Sequence, residues 1–170
     1  MSVWSLQTIL RRATAADIPA IMTIERQPGY DALVGRWDEA QHFHNISRPG
    51  VLYLVHDDAD GVLVAFAALS GLGHRDGVVQ INRMIVRTPN QGTGKLFLSE
   101  IMRAAFEGAP TQRLSLSVLP DNHRALHVYH AMGFHEDKLM RGAGTLPDGR
   151  RVDLFSMSIF YEDWVARNAV

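Results

Sequence analysis

Apolar positions recur along this chain at two different intervals, and the changes between them mark out its elements. Residues 8–13 read as a short strand. Thr14 then has the character of a helix N-cap, with Asp17 three residues on and Pro19 early in the helix. Ile18, Ile21 and Met22 form an apolar stripe at helical spacing, and Glu25 extends it at the i+7 position, which sets a carboxylate within that stripe. The stretch 30–46 is expected to be helical in part, anchored by Trp37, Phe43 and Ile46. Residues 51–56 and 62–69, rich in valine, leucine and alanine, flank an Asp-Asp-Ala-Asp-Gly turn and predict a hairpin. A strand over 78–86 is followed by a helix over 95–106, with Leu98, Ile101, Met102 and Ala105 on its inner side. In 113–119 Leu114, Leu116 and Val118 alternate with polar residues, the period of a strand. A helix starting at Asn122 comes next, then strands over 134–141 and 152–160 joined through Leu-Pro-Asp-Gly. The pattern predicts a mixed α/β (α+β) domain, with a mostly antiparallel sheet of about seven strands flanked by about four helices.

Composition narrows the function classes. No internal repeat or linker-like tract interrupts the 170 residues, so one domain spanning 1–170 is expected. A formal net charge of −1 gives no reason to expect nucleic acid or an anionic membrane surface as partner. No apolar run approaches the ~20 residues that span a bilayer. The opening MSVWSLQTILRR lacks a basic leader and a small-residue cleavage site, so a cytoplasmic location is expected. The chain contains no cysteine, which removes disulfides, thiolate-ligated metals and a cysteine nucleophile. Of its eight histidines, His123, His127 and His130 share a sector of one helix opposite Ala125, Val128, Tyr129 and Met132; they are expected to face solvent, and no metal site is predicted.

Two segments carry chemistry. Residues 122–134 read NHRALHVYHAMGF: on a helix Asn122, Ala125 and Tyr129 project from one side, and Gly133 stands where such a helix would stop. A tyrosine held this way is a candidate proton donor. In the second segment, 85–97, a strand ends at Val86, Gln91-Gly92-Thr93-Gly94 makes a turn, and a helix starts near Lys95. Backbone N–H groups converging at a helix start suit a phosphate or pyrophosphate. A nucleoside-triphosphate P-loop is excluded, because Leu96 stands where serine or threonine must meet magnesium and Pro89 replaces the first glycine. The GxGxxG dinucleotide spacing is also absent.

Together the two segments resemble the GNAT superfamily of acyl-CoA-dependent N-acetyltransferases. Its pyrophosphate loop, Gln/Arg-x-x-Gly-x-Gly/Ala, is matched by Gln91 and Gly94, with Leu96 in the last position, where the family has glycine or alanine. Its second signature is matched in full by Asn122, Ala125, Tyr129, Gly133 and Phe134. The tail from Gly133 resembles the branch of ribosomal-protein N-terminal and polyamine acetyltransferases. The resemblance implies acetyl-CoA as co-substrate and a primary amine as acceptor: a protein N-terminus, a polyamine or a small amine. It further implies that backbone groups of Met84, Ile85 and Val86 pair with the pantetheine arm and that main-chain N–H groups of Gln91, Gly92, Thr93, Gly94, Lys95 and Leu96 hold the pyrophosphate. Asn122 would bond the pantetheine region and Tyr129 would reach the thioester sulfur. A homodimer is left open.

The tyrosine's chemistry fits on its own terms, since a phenol near pKa 10 can hydrogen-bond or protonate an alkyl thiolate of roughly 8.5. With no cysteine, direct attack of the amine in a ternary complex is the simplest route. The amine must also lose a proton, yet residues 78–86 contain no carboxylate. Glu25 is the candidate base, and Glu25→Gln is then expected to shift the alkaline-rising limb of the pH–rate profile. Pairing of Glu25 with an arginine is the alternative, and His74 and Asp76 are weaker candidates. Two further readings stay open: a non-catalytic CoA-binding sensor or partner module, and an acyltransferase using another acyl-CoA.

Overall fold

The computed structural model describes residues 9–30 and 36–169, so the part of 30–46 that falls on 31–35 lies outside the described residues. Seven strands form one sheet: β1 (Ile9–Arg12), β2 (Leu52–Asp57), β3 (Leu63–Ser70), β4 (Val78–Val86), β5 (Arg113–Val118), β6 (His135–Thr145) and β7 (Arg151–Phe160), in spatial order β1-β2-β3-β4-β5-β7-β6. Every neighbouring pair is antiparallel except β4 and β5, which run parallel. The helices are α1 (Ile18–Glu25), α2 (Glu39–Ile46), α3 (Thr93–Gly108), α4 (His123–Ala131) and α5 (Tyr161–Asn168). The mixed, mostly antiparallel architecture is therefore the expected one, with α5 added. None of the described helices is long and apolar enough to cross a membrane.

The expected start of α1 is split in two: Thr14 caps a 3-10 turn, Ala15–Asp17, and Asp17 is itself the N-cap of α1, with Pro19 in its first turn. The Thr14 N–H donates to the Asp17 carboxylate at 2.8 Å, and Arg11 clamps that carboxylate through two further bonds of 2.8 Å. Arg11 holds the Asp17 carboxyl below the ordinary range of an aspartate. Helix α3 lays Phe97, Leu98, Ile101 and Met102 on one face of the sheet, against Ala67, Val79, Ile81 and Leu114. Helix α1 sets Ile21 and Ile24 on the other, against Tyr53, Val55, Phe66 and Ile85.

A single extra residue in β4 decides how those faces are shared. On β3 the adjacent residues Ala68 and Leu69 face Arg83 and Ile81, which leaves Asn82 as a β-bulge. Because side chains alternate along a strand, one inserted residue exchanges the faces of odd and even positions beyond it. Before the bulge Val79 and Ile81 point toward α3; after it Met84 and Val86 take that side, and Ile85 turns toward α1. Arg83 is carried with Ile85 into the α1–α2 side.

One expected anchor is corrected. Phe43 is 45% exposed, and the residue beside it, His42, is fully buried. An imidazole tolerates that position because both ring nitrogens are satisfied. Nε2 lies 2.9 Å from Glu25 Oε2, and Nδ1 lies 3.0 Å from the Tyr53 hydroxyl. Apolar content alone puts Phe43 inside; the polar partners of His42 decide otherwise. Trp37 and Ile46 pack against the core on the α1 side as expected.

Candidate active site

The parallel pairing of β4 with β5 runs from Val78 opposite Arg113 to Ile81 opposite Leu116 and then stops, although both strands continue. It ends where the Asn82 bulge begins. Beyond that point β4 stays with β3 and β5 stays with β7, so a gap opens between two strands of one sheet. The gap holds a cavity of about 400 Å³. Its walls are β4 from Asn82 to Val86, β5 from Leu116 to Val118, the Asn122–Tyr129 side of α4, and residues of the β6–β7 hairpin including Gly144, Leu146 and Leu154.

The strand edge in this gap is selective. The Arg87 N–H donates to the Val64 carbonyl at 2.7 Å, and antiparallel alternation gives Ile85, opposite Phe66, the same orientation toward β3. The backbone groups of Met84 and Val86 therefore face the gap, and those of Ile85 do not. That corrects the expectation that all three present main-chain groups to one arm of a ligand. The Val86 carbonyl is already engaged by the Tyr30 hydroxyl at 2.6 Å. Among the described residues, nothing bonds the Met84 N–H and C=O or the Val86 N–H, which also face the gap.

At one end of the cavity Asn90, with φ +64°, and Gly92, with φ +76°, lead into α3. The first bond of that helix runs from the Leu96 N–H to the Gly92 carbonyl at 3.2 Å. Thr93, Gly94 and Lys95 thus have amides with no intrahelical acceptor, at the positive end of the helix dipole. Leu96 is corrected on the same ground: its N–H is committed, and its side chain is 48% exposed and does not line the cavity. Of the loop residues proposed from sequence, Gly92, Gly94 and Lys95 line the cavity; the side chains of Gln91, Thr93 and Leu96 do not.

Across the gap, the signature 122–134 is a helix held at both ends. The Asn122 side chain accepts the Ala125 N–H at 3.2 Å, an N-cap bond. At the other end the Phe134 N–H reaches the Tyr129 carbonyl at 3.0 Å and the Gly133 N–H reaches the His130 carbonyl at 3.1 Å, the two bonds of a Schellman motif. The hydrophobic contact of that motif joins Phe134 to Tyr129, with ring centroids 5.9 Å apart. Tyr-x-x-x-Gly-Phe is thus a device that fixes one tyrosine ring. Gly133 has φ +97°, and a Cβ there would stand 2.7 Å from Arg167 Cδ and 3.1 Å from Ile159 Cδ1. Arg167 is flexible enough to yield, but the backbone is not, and Gly133→Ala is expected to cost about 1–3 kcal/mol. A denaturant midpoint equal to that of the parent would refute this.

Tyr129 lines the cavity, and among the described residues nothing hydrogen-bonds its hydroxyl. Burial pushes its pKa up to about 12, so the phenol stays protonated through neutral and moderately alkaline pH. His123, His127 and His130 are exposed on the far side of α4, as expected. No cluster suited to a metal ion occurs among the described residues.

Glu25 ends α1 fully buried, bonded to His42 and 3.6 Å and 3.7 Å from the guanidinium groups of Arg26 and Arg83. It does not line the cavity. Arg83 does, and its guanidinium carbon lies 3.9 Å above the Trp37 ring. Sequence reasoning passed over Arg83, Tyr30 and Arg124, all three at the cavity wall. The available signal for Arg83 was that it is the one charged residue in β4.

A parallel strand pair that separates, an exposed strand edge, three amides at a helix start and a fixed phenol opposite thus meet around one slot. The chain belongs to the acetyltransferase (GNAT) family, whose model matches residues 18–134. The fold is similar to spermidine N-acetyltransferase from Vibrio cholerae in complex with CoA and spermine, with a TM-score of 0.78 and 20% identity over 94% of this chain and 98% of that one. Mutant forms of the spermidine/spermine N-acetyltransferase from the same organism give a TM-score of 0.79 at 18% identity, covering 95% and 98%. The ribosomal-protein-S18-alanine N-acetyltransferase from Escherichia coli gives 0.75 at 22% identity, covering 91% and 94%. The protein is an acetyltransferase of this family, and its fold class is the one its sequence predicts.

Proposed function

We propose that the protein moves an acetyl group from acetyl-CoA to a primary amine by direct attack within a ternary complex. The observation that supports this reading best is the meeting of the Met84–Val86 strand edge, the α3 amides and Tyr129 in one gap. The pantetheine arm would pair with Met84 and the Val86 N–H like an added strand. Its pyrophosphate would take the amides of Thr93, Gly94 and Lys95, with Lys95 and Arg124 supplying positive charge. Asn122 fixes the start of α4 through its Oδ1, and its side-chain NH2, at the cavity wall, would bond the pantetheine region.

The amine, its ammonium proton already released to water, attacks the thioester carbonyl through its neutral nitrogen; an N–C bond forms and the C–S bond breaks. Tyr129 donates its proton to the departing sulfur, and its phenolate recovers the proton that the nitrogen gives up. A phenol held near 12 lies above an alkyl thiol of roughly 8.5, so complete transfer in the resting site is uphill. The hydroxyl acts first as a hydrogen-bond donor to sulfur, and the same burial that raises the phenol also raises the thiolate. Glu25, turned toward His42, supports this site from behind.

Free thiol release from acetyl-CoA, measured over a panel of primary amines, tests the reading. The expected result is thiol release matched by acetylated amine. Release no faster than in the amine-free control would overturn it and leave a CoA-binding module.

A further inference from the structure

We propose that Ser117 seats the attacking amine: its hydroxyl oxygen and its main-chain carbonyl accept the two N–H bonds of the acceptor nitrogen at the mouth of the gap. This rests on the transfer reading above and adds a residue to it.

The carbonyl is placed by the backbone count. The Tyr161 N–H donates to the Gln112 carbonyl at 2.9 Å, and the Arg113 N–H donates to the Gly77 carbonyl at 3.1 Å on the β4 side. Alternation then turns the main-chain groups of Leu114, Leu116 and Val118 to β7, and those of Ser115 and Ser117 to β4. After the last registered pair, Ile81 opposite Leu116, an unbroken parallel ladder would carry the Ser117 carbonyl to the Arg83 N–H. The Asn82 bulge prevents that. Arg83 lies opposite Ala68, and its main chain faces β3 as that of Ile85 does. The Ser117 carbonyl is thus the first acceptor of β5 beyond the ladder, and it faces the gap.

The side chain brings a second acceptor from the same residue. Leu114, Leu116 and Val118 pack toward α3, so Ser115 and Ser117 project from the opposite face, the one that carries Arg83 and Trp37. On that face the cavity continues into a second space, shared through Arg83, Thr145 and Leu146. The α3 amides stand at the other end, so the amine reaches the thioester through this space. The two serines differ in what they hold. Ser115 is buried, and its hydroxyl donates to Gln80 Oε1 at 2.7 Å. Ser117 is exposed and lines the cavity, and among the described residues nothing hydrogen-bonds its hydroxyl. Ser156, its neighbour on β7, does not line the cavity.

Two acceptors on one residue suit one primary nitrogen. A neutral primary amine that gives both hydrogens to Ser117 keeps its lone pair for the thioester carbonyl. As the N–C bond forms the nitrogen becomes cationic, and both hydrogen bonds become charge-assisted. The seat is therefore stronger in the transition state than in the ground state. Ser117 itself gains and loses no proton; the nitrogen's proton goes to the Tyr129 phenolate.

Ser117→Thr and Ser117→Val are nearly equal in shape, both suit a strand, and they differ by the hydroxyl. With the whole protein, acetyl-CoA and the best primary amine of the panel, kcat is expected to be about 10–100-fold lower in Ser117→Val than in Ser117→Thr, the worth of one hydrogen bond to a charged group. KM for the amine should move less, and the CoA dissociation constants and denaturation midpoints should match. Should the branched variants not fold, Ser117→Ala beside the unsubstituted protein decides on the same readouts. Equal kcat with and without the hydroxyl, a change confined to KM, or a fall that tracks lost stability or CoA affinity would overturn the proposal while leaving acetyl transfer intact. Acetyl-CoA binding with no transfer to any amine by the unsubstituted protein would overturn both.

Discussion

Replacing Tyr129 by phenylalanine is expected to lower kcat by about 10²–10⁴ with CoA affinity essentially unchanged. The substitution removes one hydroxyl from the cavity wall and leaves the ring, its contact with Phe134 and the Schellman bonds at the end of α4 in place. No described residue hydrogen-bonds that hydroxyl, so its loss leaves no protein group stranded. The defect should therefore appear in turnover and not in stability. The sign of the pH dependence follows from burial, which raises the phenol to about 12. Its protonated form persists well above neutrality, so Tyr129 should add no falling limb to the pH–rate profile below about pH 10. Steady-state kinetics of the variant, beside its CoA dissociation constant, check the first statement; turnover equal to the parent would remove Tyr129 as acid.

The second large effect belongs to Glu25. Glu25→Ala is expected to destabilise the fold by about 3–5 kcal/mol, since it strands His42 and takes a carboxylate away from Arg26 and Arg83 together. Glu25→Gln keeps a hydrogen-bonding group beside His42 and should cost less. The pair separates structure from chemistry. Because Glu25 does not line the cavity, the rising limb of the pH–rate profile is expected to survive in Glu25→Gln, reversing the expectation drawn from sequence. Loss of that limb would restore the carboxylate as base. Equal denaturation midpoints for Glu25→Ala and the parent would contradict the buried cluster itself.

What the sequence disclosed depended on range. Period and turn residues act locally, so strand β4 was placed correctly at both ends and the inner face of α3 was read correctly at Leu98, Ile101, Met102 and Ala105. The signature of α4 was legible because its caps are local bonds: Asn122 to Ala125, Gly133 to His130, Phe134 to Tyr129. Helix α5 was missed, being two turns whose ring, Trp164, is fixed by stacking on Phe106, 5.1 Å away and far along the chain. The exchange of His42 for Phe43 has the same origin, because burial of an imidazole depends on Glu25 and Tyr53 arriving from other elements. Ile85 could be named as part of the slot, but which way its backbone faced depended on the pairing with β3. Arg83 stayed hidden for a related reason: nothing in Gln80-Ile-Asn-Arg-Met84 announces that Asn82 is the odd residue.

That odd residue has a consequence for how such a slot can be gained or lost. Most binding clefts are assembled from loops, and many changes of loop sequence leave them standing. Here the opening depends on a count. Deleting Asn82 would leave Ile81, Arg83, Met84 and Ile85 alternating on the sides they already occupy, so neither core would register the loss. The kink, however, would go, and β5 could stay paired with β4 to its end. The sheet would be more regular, and it would be closed.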